Sequence, residues 1–272
     1  MDLATPPPAV EPGFARFTVL TVNTHKGFGA FNRRFVLHEL REAVRSVGAD
    51  LVFLQEVMGS HELHRARIGG WPATPHYEFM ADEIWSSHAY GRNAVYPHGH
   101  HGNAVLSKFP IARHVNHDAS VGKSEKRGLL HCVLSLPQSE RPLHAVCVHL
   151  GLDESHRRAQ VLQLCRLVND GIPPDEPVVV AGDFNDWRCR VDGALEGCAG
   201  LQEVFRLATG RPAKTFPARW PVLRLDRIYV RGLQLLRPLV LGRRPWSHLS
   251  DHAPLAAELA LPVGQAVVRR AA

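Results

Sequence analysis

Six short segments, spread along nearly the whole chain, each carry a polar side chain at the end of an apolar run. They are Thr21-Val22-Asn23, Leu54-Gln55-Glu56-Val57, Val148-His149-Leu150, Gly182-Asp183-Phe184-Asn185, Leu225-Asp226-Arg227-Ile228-Tyr229 and Ser250-Asp251-His252. Apolar runs this short, bounded by turn residues, read as buried strands. A buried strand that stops on a carboxylate, amide or imidazole must deliver it where it is paired or metal-bound, because an unpaired buried polar group is costly. The chain therefore has to bring strands from both its ends to one shared edge.

The remaining segments fill in around that requirement. Residues 17–23 form a β-rich run. Residues 33–47 predict a helix: Val36, Leu37, Leu40, Val44 and Val47 recur at helical spacing and Gly48 follows as a stop. Residues 51–57 read as a buried strand. Residues 58–102 carry Gly, Pro, His and aromatics with little periodicity and are expected to form long surface loops. Residues 104–107, 129–136 and 143–150 predict three successive strands, the last two joined as a hairpin through the polar turn around Pro137 to Pro142. Residues 153–169 predict a second helix, with Asp153 as N-cap and Val161, Leu164, Cys165 and Val168 on one face. Strands at 178–181, 225–230, 233–241 and 255–261 complete the set. No repeat of fixed period and no mid-chain linker is present. The expected domain covers residues 15–262, between a Pro-rich disordered tail at 1–14 and a C-terminal tail at 263–272. Hairpin pairs plus two good helices imply an α/β (α+β) fold in which two mostly antiparallel sheets pack together, flanked by helices.

The length of 272 residues leaves ample apolar material for a core. The net charge of +6 favours a polyanionic partner such as nucleic acid. The five cysteines are odd in number, show no C-x-x-C, and several lie inside apolar runs, which argues for a reducing compartment rather than a disulfide framework. The N-terminus lacks the basic and apolar regions of a secretory signal, and no apolar run is long enough to span a bilayer. The expectation is a cytoplasmic protein with no transmembrane segment and no evident obligate protein partner.

The polar ends suit phosphoester chemistry. Asp183 can take a proton from water or hold a metal, and Asn185 offers an amide donor to a phosphate oxygen without adding negative charge. Glu56 is a carboxylate at a buried strand end, and Mg²⁺ needs only one or two such ligands because it keeps several waters. Asn23 ends the first strand and can orient Glu56 or a metal-bound water. Adjacent Asp251 and His252 point to different sides of an extended segment, so Asp251 can serve the metal while His252 faces the phosphate. Asp226 can fix the His252 tautomer. His149 ends another strand, and Arg127 carries a planar guanidinium suited to clamping phosphate. Asn103, Arg127 and Trp246 are candidate substrate contacts. Trp246 belongs with Trp71, Trp85, Tyr90 and Arg92, aromatics and a guanidinium in segments read as loops. His98-Gly99-His100-His101 fits no closed zinc site and is read as a loop near the site mouth.

With these residues in hand, the chain resembles the endonuclease/exonuclease/phosphatase superfamily, the deoxyribonuclease I-like group, over about residues 17–261. The resemblance implies a four-layer sandwich with a divalent-metal hydrolase site at one edge, using Mg²⁺ with Mn²⁺ as a possible substitute. It implies Glu56 as principal metal ligand with Asn23 and Asp251 near the metal. It places His252 paired with Asp226, together with Asp183, Asn185 and His149, around the scissile phosphate. Arg127 matches the family's phosphate-contacting Arg or Tyr position. Thr215-Phe216 is similar to a family segment that precedes the Asp226 strand. Val148-His149-Leu150 is similar to the deoxyribonuclease I, sphingomyelinase and inositol-phosphatase branches. Abasic-site enzymes usually have Pro-Asn there, and an acid where this chain has His25, so both departures speak against abasic-site specificity.

The activity expected is in-line hydrolysis of a phosphodiester, with Asp183 or a neutral His252 as the base. A nuclease on DNA or RNA leads. A phosphatase or phosphodiesterase on a lipid headgroup or small phosphoester is the alternative, and a non-catalytic scaffold is a distant third.

Overall fold

The computed structural model describes residues 14–29, 34–122, 125–137 and 139–262, and both expected tails lie almost wholly outside these. The first sheet is built from β1 (Phe14–Asn23), β2 (Leu51–His61), β3 (Ser87–Tyr96), β4 (Gly99–Ser107), β11 (Gln234–Val240) and β12 (Leu255–Pro262), in the order β11-β12-β1-β2-β4-β3. The second holds β5 (Ile111–Asp118), β6 (Gly128–Leu134), β7 (Leu143–His149), β8 (Val178–Asp183), β9 (Gln202–Glu203) and β10 (Asp226–Arg231), in the order β5-β6-β7-β8-β10-β9. Each sheet has one parallel pair, β1 with β2 and β7 with β8, and every other pairing is antiparallel.

Helices cover the outer faces: α1 (Leu37–Val47), α2 (Glu62–Arg67), α3 (His76–Ala81) and α7 (Trp246–Leu249) belong with the first sheet, α4 (Glu154–Gly171) and α5 (Val191–Ala199) with the second, and α6 (Val204–Thr209) packs at β9 to β11. Strand alternation explains the layering, since successive side chains point to opposite faces. In β2, Leu51 and Phe53 face the second sheet while Val52 and Leu54 face the helices; in β8, Val179 and Ala181 face inward and Val178 and Val180 outward. Three apolar layers result: one between the sheets and one under each group of helices. The fold is the expected four-layer sandwich.

The helix signals hold. Asp153 caps α4 by accepting from the Ser155 and His156 N–H groups, and Gly48 closes α1 in the left-handed conformation. Two expectations are corrected. Residues 58–102 are not long loops: they carry the end of β2, two short helices, all of β3 and the start of β4, the last two joined as a hairpin. The cysteines are not all free either. Cys165 of α4 and Cys198 of α5 form a disulfide, while Cys132, Cys147 and Cys189 are free thiols. Among the described residues no helix is long and apolar enough to cross a membrane.

Candidate active site

The site is the open end of the layer between the sheets. In β8, Val179 and Ala181 face inward, and Asp183 is the next residue in that phase. Ala145 and Cys147 of β7 lead in the same way to His149, Phe17 and Val19 of β1 lead to Asn23, and Ile228 of β10 lies two residues from Asp226. Strand register aligns them: His149 and Asp226 are the direct neighbours of Asp183 on either side. Gly182 makes the alignment possible. It has φ +148°, and a Cβ there would lie 1.9 Å from the Val148 carbonyl oxygen.

Glu56 is out of phase with Phe53 and Gln55 and would ordinarily point at the helices. Its backbone instead adopts φ +55°, within a register shift between Leu54 and Val57. This bulge re-aims the carboxylate at the cleft, a use to which bulges beside functional sites are commonly put. Thr24 fixes it by donating its hydroxyl to the Gln55 and Glu56 carbonyls at 2.9 and 3.1 Å.

Asp183 is the hub. Its Oδ1 accepts the Asn185 N–H at 2.9 Å, and its Oδ2 accepts from Asn23 Nδ2 at 3.3 Å. His149 Nε2 and His252 Nε2 stand 3.5 and 3.8 Å from the same oxygen. Asn23 Nδ2 also reaches Glu56 Oε1 at 3.5 Å, so one amide ties the two sheets' carboxylates together. His252 Nδ1 is 2.8 Å from Asp226 Oδ2, as expected from the sequence. Asn185 donates its side-chain amide to the Leu150 carbonyl at 3.0 Å, which orients it and leaves one amide hydrogen free.

Charges follow from this packing. Burial opposes ionisation of Glu56, but His149, Lys26, His25 and His101 outweigh it and hold the carboxyl at about 2. Burial, then Arg127, drive His149 itself well below the ordinary histidine range, so it is neutral near pH 7. The Lys26 ammonium, 3.6 Å from Glu56, is therefore the standing cation there. Burial pushes the Asp183 carboxyl up to about 7, with Asp226 and Glu56 adding to the rise against His252 and the Asn185 N–H. Burial would neutralise His252, yet the Asp226 and Asp183 carboxylates raise it to about 10. Around neutral pH the centre holds an imidazolium, an ionised Glu56 and an Asp183 within reach of its own titration.

Oxygen donors suited to a hard divalent cation sit at the cleft mouth, where Glu56 is ionised, partly exposed and fixed by Asn23. A second cluster, Asp183, Asp226 and His252, has ligand atoms all within 4.8 Å of one another. There the Asp226 bond and the proton held by His252 occupy positions that a metal would need, so the Glu56 end fits the cation better. Asp251 stands apart: its carboxylate lies 3.9 Å from His25 Nε2, and no hydrogen bond or ion pair ties it to Glu56 or Asn23. Ser250 anchors its loop by donating to the Asn23 carbonyl at 2.7 Å.

The candidate substrate contacts divide. Arg127 lies at the site, electrostatically coupled to His149 and His101, paired with Glu125 at 2.7 Å, its Nε buried without a partner. Asn103 is 1% exposed and donates to the Gly128 and Cys147 carbonyls at 3.1 and 3.4 Å, so it stitches the sheets, while its Oδ1 is buried without a partner. Trp246 is buried in the helix-side core of the first sheet, and Trp85 is buried with its indole bonded to the Ala49 carbonyl. Tyr90 stacks on Tyr77 at 4.5 Å and Trp71 on Phe35 at 4.9 Å. The aromatics picked from the sequence are thus core and rim packing. His100 and His101 lie in β4 rather than a loop, with His101 beside Glu56 and Lys26.

Sequence reasoning noted Thr215-Phe216 but assigned it no chemistry, and missed Lys26. Thr215, fully buried, accepts the Leu225 and Asp226 N–H groups on its hydroxyl, each at 3.2 Å, and its carbonyl accepts from Ala253 at 2.8 Å. It positions both Asp226 and His252. Phe216 packs its ring 5.1 Å from that of His252. Lys26 has no such sequence signal, since a lone lysine in a glycine-rich turn reads as solvated.

Residues 20–252 match the model of the Endonuclease/Exonuclease/phosphatase family. YbhP, an uncharacterized protein of Escherichia coli (strain K12), is 58% identical over 245 residues, covering 90% of this chain and 96% of its own. Among solved structures, an endonuclease/exonuclease/phosphatase from Beutenbergia cavernae superposes with a TM-score of 0.71 at 17% identity, over 90% of this chain and 72% of that one. TDP2 from D. rerio, complexed with a single-strand DNA product, gives 0.65 at 16% identity, over 90% and 99%.

Proposed function

Because the chain belongs to the endonuclease/exonuclease/phosphatase family, whose members hydrolyse phosphoester bonds with a divalent metal, we propose that it is a phosphodiesterase whose substrate is a nucleic-acid strand. The observation that carries the reading is the convergence of Asn23, His149 and His252 on the buried Asp183 carboxylate, with Glu56 one amide away.

A divalent cation at Glu56, Mg²⁺ or Mn²⁺, would neutralise charge on the phosphate and the leaving oxygen. This chain's residues supply the rest. Asp183, ionised in part at neutral pH, accepts the proton of the attacking water. His252, held protonated by Asp226, offers Nε2–H to a non-bridging oxygen as charge builds there. The free Asn185 amide hydrogen and Arg127 give further donors. His149 is neutral and orients Asp183. Asn23 keeps Glu56 and Asp183 in register, and Asp251 with His25 borders the mouth. A neutral His252 is the other reading of the base, and its raised proton affinity favours Asp183 instead.

Nucleic acid is favoured over a phosphomonoester by the +6 charge and by the exposed Trp220 beside the Asp251 loop. The Cys165–Cys198 bridge removes the free-thiol argument for a cytoplasmic location. The test is a panel of duplex DNA, single-stranded DNA, RNA, phosphoinositides and sphingomyelin with Mg²⁺ or Mn²⁺. Hydrolysis of an oligonucleotide that is lost with chelator and in Glu56→Ala is the expected result. Turnover of lipid headgroups alone, or wild-type turnover by Glu56→Ala, would overturn it.

A further inference from the structure

Two exposed tryptophans stand on separate loops, each tethered to a loop of the site. Trp220 is 74% exposed, on a hairpin closed by a bridge between Phe216 and Leu223. The Ala218 N–H of that hairpin donates to the Asp251 carbonyl at 2.7 Å. Trp220, Phe216 and Arg219 form one wall of a cavity of about 820 Å³ that has His25 and Asp251 among its other lining residues. Arg219 is exposed and makes no ion pair or hydrogen bond through its side chain among the described residues.

Trp187 is 43% exposed and follows Asn185 by two positions. The Arg157 guanidinium lies 5.1 Å from its ring centroid and donates to the carbonyls of Gly151 and Leu152, in the loop that leaves His149. Beside it, Arg158, Arg188 and Arg190 all converge on the single carboxylate of Glu154, which leaves the cluster strongly positive.

We propose that these two faces are the arms of a track for an unpaired nucleic-acid strand, which crosses the cleft with bases against Trp220 on one side and Trp187 on the other. The proposal rests on the phosphodiesterase reading and names the form of its substrate. Exposed aromatic faces interleaved with guanidinium groups are what a single strand requires, since each unstacked base needs a π-face and each phosphate a cation. A duplex hides its base faces and would leave both rings without a use. A bilayer would call for one continuous apolar surface, whereas here the two rings stand on separate loops with cations beside each.

Binding of labelled oligo(dT) by fluorescence anisotropy in chelator, where nothing is hydrolysed, tests the track independently of catalysis. Trp220→Ala and Trp187→Ala are each expected to weaken binding roughly tenfold, with Tyr at either position restoring most of it. Removing Arg188 and Arg190 together is expected to reduce the slope of log K against log salt by about 1 to 2. Circular dichroism confirms folding of these exposed variants. Binding that is unchanged in both tryptophan variants, a preference for duplex over single strand, or capture by anionic phosphatidylglycerol vesicles without oligo(dT) binding would overturn the track. None of those results would touch Glu56-dependent hydrolysis, whose own failure shows in the Glu56→Ala control.

Discussion

Asp183 faces an imidazolium, a neutral imidazole, two amide donors and two neighbouring carboxylates at once, so its protonation sets when the centre can work. Asp183 and His252 titrate together. The Asp183 carboxyl sits at about 7 and the His252 imidazolium at about 10, so kcat/KM is expected to rise through neutrality and fall in alkali. A profile flat from pH 5 to 11 would remove Asp183 as base and His252 as donor. Stability runs the opposite way. Folding raises the Asp183 pKa above its ordinary value of 3.8, so its contribution is most favourable below that value and is lost as pH rises through about 7. Asp183→Asn is therefore expected to abolish metal-dependent turnover while raising the Tm of the metal-free protein at pH 8 by a few degrees. The main site residues were legible because each ends an apolar run two positions beyond an inward-facing residue. Glu56 was legible as a carboxylate but its direction was not, since a positive φ at a glutamate leaves no mark in the sequence. Trp187 and Trp220 were missed because an exposed tryptophan reads no differently from the buried Trp85 and Trp246.

At the scale of elements, close approach of β7 and β8 is the feature most open to attack. A methyl group at Gly182 would meet the Val148 carbonyl at 1.9 Å, so Gly182→Ala is expected to destabilise by about 3 kcal/mol or more in urea unfolding. The aromatic cluster around α3 makes a different prediction. His76 is 1% exposed, neither ring nitrogen has a partner, and burial followed by His64 and His38 lowers its pKa to about 3. A histidine depressed by folding contributes stability in full above its ordinary 6.5 and loses it as pH falls toward 3. His76→Phe is thus expected to flatten the acid limb of stability by about 1.4 kcal/mol per pH unit. Superimposable acid limbs for variant and wild type would contradict that. Strands such as β7 and β8 were legible because both faces are apolar. The β3–β4 hairpin was not, because its exposed face, its histidines and its register shifts erase alternation. β5 is an edge strand, mostly exposed, and carries no apolar stripe to find.

Across the whole molecule, the two sheets and their helices hold the site's halves together, since Asn23 and Glu56 come from one sheet and His149, Asp183 and Asp226 from the other. The Cys165–Cys198 bridge braces α4 against α5 behind the second sheet. Cysteines 33 positions apart give no sequence cue to pairing, which is why the odd count was read as a reducing compartment rather than a disulfide framework. Replacing both with Ala is expected to lower unfolding free energy by about 2–4 kcal/mol, and loss of the wild-type bridge under reductant should match it. The central claim is that both sheets contribute to one hydrolytic centre. The most direct measurement is turnover of bis(p-nitrophenyl) phosphate with Mn²⁺ by wild type, Glu56→Gln from the first sheet and Asp183→Asn from the second. The account expects each substitution to cut turnover by at least ~10² with folding intact. Near-wild-type turnover by either folded variant would contradict it.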